Sequence, residues 1–109
     1  RAFCWHREAP LPLHAGPETM ANLERMFPWA MANTSRNYVR PDPHLIDGPF
    51  TIKDLLVTPI PVIHSSVETF GFRFDFPTGH SLAYISDVKE IPRPSIALLQ
   101  DLDVFIVDF

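Results

Sequence analysis

"PIPVIHSSVETFGFRF", residues 59–74, sets an apolar run and an alternating run on either side of a histidine. The first run, extended back to Leu55, reads as a strand over 55–63. Pro59 and Pro61 stand two apart, so both missing N–H groups fall on one side. That side cannot form a regular ladder, which predicts an edge strand or a bulge. The second run continues to Phe76 and reads as a strand over 70–76. Phe70, Phe72, Phe74 and Phe76 share one face, expected to be the core face, and Arg73 and Asp75 share the other. His64 sits where the first strand stops. Packing, general base and metal ligand are all roles open to a histidine there, and the choice depends on what else reaches the same place.

Outside this hairpin, residues 81–86 and 103–108 read as strands from their β-branched and aromatic content, with a turn at 77–80. Residues 94–100 suit a short helix. Upstream, 10–15 is an apolar segment that suits a strand. Residues 16–27 read as a helix, with Pro17 in the first turn, Glu18 at the positive end of the dipole, and Met20, Leu23 and Phe27 on one face. Pro28 ends it. Residues 30–49 are polar, proline-rich and aperiodic, and are expected to be a long loop. The class is α/β, a mixed sheet with flanking helices.

The chain has 109 residues, enough for one small domain. Its net charge of −4 and lack of a basic cluster argue against nucleic-acid binding. No apolar run approaches the roughly 20 residues of a membrane span. The one cysteine, Cys4, has no internal partner, which favours a reducing, cytoplasmic setting. No base is placed to activate it.

The strands 55–63, 70–76 and 81–86 are expected to form an up–down–up meander, in which the first and third end at the same sheet edge. His64 follows one and Asp87 the other. The helix and the strand 103–108 make a crossover to a strand running the same way, which brings Asp108 to that edge. Imidazole and carboxylate are ligands of a zinc- or manganese-type site. Each residue also has a plainer role: His64 as a packed histidine, Asp87 as a turn or helix cap, Asp108 as a strand end. His14 ends a strand and could face the site. His6, His44 and His80 are expected on exposed loops.

The stretch "VTPIPVIHSSVETFGFRFDFPTGHSLAYISDVKEIPRPSIALLQDLDVFIVDF" resembles the middle of metallo-β-lactamase-fold hydrolases, most of all the branch with the cyclic phosphodiesterases of phosphonate breakdown. "LPLHAGPETMANLERMFP" fits the segment that family carries upstream. The resemblance implies part of an αββα sandwich. It implies that His64 is the isolated metal-binding histidine, Asp87 the aspartate bridging two divalent metals (zinc or manganese), and Asp108 a supporting acidic residue. The implied reaction is attack of metal-bound hydroxide on a small phosphodiester. The family's His-x-His-x-Asp-His cluster is absent, and Ser65 stands where glycine is frequent. Catalytic residues beyond these ligands are not identified. Two alternatives belong beside this reading: a hydrolase of the same fold acting on a thioester, lactam or RNA end, and a non-catalytic domain that associates through strand edges.

With most metal ligands missing, residues 1–109 are expected to be one partial domain of a larger hydrolase, inactive alone and binding metal weakly or not at all. The apolar strand 103–108 suits burial on both faces. A homo-oligomer or a complementing chain is therefore expected. Sedimentation at micromolar concentration should give a mass above that of the monomer, and a clean monomer with concentration-independent unfolding would contradict this.

Overall fold

The computed structural model describes residues 9–32 and 41–108. The expectations for Cys4 and His6 lie outside them. The chain forms two compact units, Arg1–Asp47 and Gly48–Phe109.

In the first unit, β1 (Leu11–Ala15) leads to α1 (Pro17–Met26), α2 (Pro28–Met31) and β2 (Pro41–Leu45). Pro17 opens α1 and Pro28 opens α2, where a missing N–H costs nothing. Met20 is buried. An apolar groove of about 330 Å³, lined among others by Leu11, Leu13, Leu23, Phe27 and Trp29, carries no titratable side chain.

β2 corrects the expectation of a loop over 30–49 at Pro41–Leu45, while 33–40 of that expectation lie outside the described residues. It pairs in parallel with β1, Leu11 opposite Pro41 and Ala15 opposite Leu45. The Ile46 N–H donates to the Ala15 carbonyl at 2.8 Å. By the period of two, Asp42 and His44 also turn their amides toward β1, while Pro41 and Pro43 turn toward the open side. Prolines that hide a strand in the sequence are tolerated in it because they lie along an edge.

In the second unit, β3 (Phe50–Ile52), β4 (Leu55–His64), β5 (Val67–Asp75), β6 (Ser81–Ile85) and β7 (Val104–Val107) lie side by side in chain order. All neighbours are antiparallel except β6 and β7, which run parallel through a crossover containing α3 (Arg93–Ile96) and a 3₁₀ turn at Ala97–Leu99. The up–down–up order and the parallel fourth strand agree with the sequence reading. β3 covers β4 only along Leu55–Val57. Pro59 and Pro61 follow on the stretch left as an edge, and the buried Ser95 hydroxyl of α3 donates to the Pro61 carbonyl there.

The alternation in β5 is as expected, but the buried cluster beneath the crossover lies on the other face, while the phenylalanine face holds the buried Val57 opposite Phe74. Ile60, Val62, Ala83, Ile85 and Val88 form the buried cluster, covered by Ile91, Leu98, Leu99 and Leu102 from the crossover. Cross-strand register puts Gly71 opposite Ile60, and Arg73 opposite both Thr58 and Ala83, on that same face. Phe70, Phe72 and Phe74 are only half-buried, and Phe76 is exposed. Alternation states which residues share a face. It does not state which face the crossover covers.

Arg73 sits within the covered face because its head is paired. Its Nε donates to both Asp75 oxygens, at 3.1 and 3.3 Å, and its Nη1 donates to the carbonyls of Leu98 and Gln100. These charge-assisted bonds tie the 3₁₀ turn to the sheet. Gly71 is the tight point. A Cβ there would lie 2.5 Å from Ile85 Cγ1 and 3.1 Å from the Tyr84 carbonyl. Gly71→Ala should therefore cost about 1–3 kcal/mol in denaturant unfolding. A change within about 0.5 kcal/mol would mean that the β5–β6 contact is looser than described.

Candidate functional site

β4 ends at His64, and a two-residue turn, Ser65–Ser66, starts β5 with His64 opposite Val67. Ser65 has a φ of 58°, the left-handed region in which glycine is the unstrained residue. His64 lies on the same face of β4 as Ile60 and Val62, so its ring stands at the end of the core.

β6 ends at Ile85, and the chain does not leave the sheet. Val88 is 3% exposed and belongs to the core cluster. Beyond it, the N–H groups of Lys89 and Glu90 donate to the Ile63 carbonyl at 2.8 and 3.1 Å, and the Ile63 N–H donates back to Glu90 at 2.9 Å. The segment 86–90 thus starts at β6 and finishes on the outer edge of β4, with β5 between the two strands. Asp87 falls midway. Its Oδ2 lies 3.2 Å from His64 Nε2, with the side chains 62% and 44% exposed. The convergence read from the meander is present as a direct contact, open to solvent.

Asp108 reaches the same end of the sheet by its backbone. Its N–H donates to the Ile85 carbonyl at 3.0 Å, beside the β6–β7 ladder. Among the described residues, however, no three His, Cys, Asp or Glu side chains gather as a metal-holding group. The carboxylate of Asp108 is not drawn in with the pair.

The donor set and spacing of His64 and Asp87 fit a divalent ion. Two donors each about 2.0–2.2 Å from one ion, at a near-tetrahedral angle, stand about 3.3–3.5 Å apart. The pair is therefore nearly at the separation of two ligands on a shared ion. It would supply two of the usual four positions.

Of the other described histidines, His14 and His44 belong to the first unit and His80 to the second. His44, expected on a loop, is on β2, opposite His14 in the register. The two rings stack with centroids 4.9 Å apart, and His44 Nε2 lies 2.9 Å from Asp42 Oδ2. The sequence reading missed this cluster because it missed β2. Its one available signal was the alternation of Asp42 and His44 with Pro41 and Pro43. His80 is exposed, as expected, with its Nδ1 3.6 Å from Asp103 Oδ2. Asp103 also accepts the Ser81 N–H at 2.8 Å, which ties the start of β6 to the approach of β7. That network is at the end of β6 opposite to Asp87.

Comparison with known proteins gives the family. Residues 1–109 match the Beta-lactamase superfamily domain. A diphosphatase from the PhnP family is similar in structure, with a TM-score of 0.72 and 28% identity over 89% of this chain. The metallo-beta-lactamase fold protein YhfI from Bacillus subtilis is similar in fold, with a TM-score of 0.61 and 16% identity over 90% of this chain. The chain spans 34% and 36% of those two structures, about a third of their length. No curated protein matches. With the meander, the crossover and the match along its whole length in agreement, the chain belongs to the beta-lactamase superfamily and carries part of the mixed α/β metallo-β-lactamase fold.

Proposed function

We propose that the chain is the central part of a metal-dependent hydrolase that acts on a small phosphodiester, with His64 and Asp87 among its metal ligands. The family makes a hydrolase of this fold the coarse reading. The 3.2 Å approach of His64 Nε2 to Asp87 Oδ2 carries the finer one. An exposed pair of this kind contributes little to folding, about 0–1 kcal/mol. Its arrangement by two separate strand ends is better accounted for by ligand binding. When bound, a divalent ion supplies Lewis acidity at a phosphoryl oxygen and acidifies water. Of this chain's own atoms, His64 would offer Nε2 and Asp87 one or both carboxylate oxygens. The second oxygen of Asp87 suits it to bridge two ions, zinc or manganese. Asp108, one position past β7, is assigned a supporting role at the same edge. The similarity to a diphosphatase supports a substrate cleaved at phosphorus. The single cysteine supports a cytoplasmic setting. No helix among the described residues is long and apolar enough to cross a membrane.

A second reading, association through strand edges, is favoured by β7. Val104, Phe105 and Ile106 are 47%, 43% and 47% exposed on the outermost strand of the sheet. Apolar area of this kind contributes roughly 25 cal/mol per Å² when buried. A complementing chain or a second copy along β7 is compatible with the hydrolase reading, and the two readings differ in what His64 and Asp87 do.

In the full encoded protein, His64→Ala and Asp87→Ala should each lower kcat/KM on a cyclic or linear phosphodiester by at least about a hundredfold. With metal removed by a chelator, unfolding stability should change by less than about 1 kcal/mol. Full activity in either variant would remove the ligand assignment. The 109-residue chain alone should lose zinc on dialysis, because two ligands leave the coordination shell incomplete. Stoichiometric retention that disappears in His64→Ala would reveal ligands beyond these.

A further inference from the structure

An exposed side-chain contact of this kind has too little attraction to hold two chain segments in place. Something else must fix Asp87 against His64. Ile85 is the last residue of β6, fully buried, with its carbonyl taken by the Asp108 N–H. Val88 is buried among Ile60, Val62, Ala83 and Ile85. Lys89 and Glu90 are fastened to Ile63, the residue before His64. Only Ser86 and Asp87 lie between the anchors at Ile85 and Val88, and both are exposed. So short a span leaves the chain few ways to run, and the anchor next to Asp87 is an apolar side chain with no chemistry of its own.

We propose that Val88 is the positioning residue of this site: its burial, together with the backbone clasp on Ile63, holds the Asp87 carboxylate at the distance from His64 that a shared ion requires. The proposal rests on reading His64 and Asp87 as ligands of one centre. Val88 touches neither ion nor substrate and acts through Asp87. If it is truncated, the sheet keeps its pairing, but segment 86–90 loses the contact that presses it onto the core. Asp87 then samples positions away from His64, as locally anchored segments do when their apolar contact is removed.

The test reads proximity and uses neither metal nor substrate. In a Cys4→Ser background, His64→Cys and Asp87→Cys place one thiol at each position. Dibromobimane becomes fluorescent when it bridges two nearby thiols, so its bridging rate measures their effective concentration. Adding Val88→Ala should lower that rate about tenfold, while Val57→Ala, the same truncation on the opposite face of β4, should leave it within about twofold. Val57 is the matched control because it is 2% exposed against 3% for Val88. Equal effects of the two truncations, or none from Val88→Ala, would overturn the proposal and assign Val88 to stability alone. If Val88→Ala does not fold, hydrogen exchange of the unsubstituted protein gives the answer. The Lys89 and Glu90 amides should be protected as strongly as the β4–β5 ladder, and exchange like that of an open loop would overturn the clasp. Loss of the phosphodiesterase reading would leave both measurements unchanged, so the two failures are distinguishable.

Discussion

Three hydrogen bonds join Ile63 to Lys89 and Glu90, and the contact between His64 and Asp87 follows from them. β4 and β6 are not neighbours, because β5 lies between them. Two strands so placed end at the same edge of a sheet, but about two strand spacings, or roughly 9–10 Å, apart. The clasp closes that gap. It carries the segment after β6 to the far side of β4, along the outer edge where Pro59 and Pro61 have no N–H to engage another strand. The prolines and the clasp are thus parts of one arrangement. A β4 edge already occupied by a full ladder would have no room for segment 86–90.

The packing of the second unit is organised around the same face. Gly71 and Ala83 are small, and they let Ile60, Ile85 and Val88 close up beneath the crossover. Arg73 belongs to this face as well, but its guanidinium is taken up by Asp75 and two carbonyls of the crossover. The candidate site lies at the end of this core. Its two side chains stay in solvent while the backbone that bears them is held from below. Such a division suits chemistry, since ligands need access and their mounting needs rigidity.

The sequence carried much of this arrangement in legible form. His64 after an apolar strand, Asp87 after "AYIS" and the meander between them were enough to place both residues at one edge. Three features were not legible, each for its own reason. β2 was hidden by Pro41 and Pro43, which look like loop residues until the open side of the strand is known. The face that the crossover covers was not legible because Phe70, Phe72 and Phe74 are larger than Gly71 and Ala83, yet the crossover packs on the small residues. The clasp at Ile63 is made by backbone atoms, so no pattern of side chains announces it. Val88 reads from sequence as one apolar residue in a turn.

The central claim is that His64 and Asp87 hold one ion between them. Anomalous diffraction from crystals of the full encoded protein, grown with zinc or manganese, tests it most directly. The account predicts an anomalous peak within about 2.0–2.2 Å of both His64 Nε2 and an Asp87 oxygen. An ion bound by other residues, with His64 and Asp87 still in direct contact and away from it, would contradict the account.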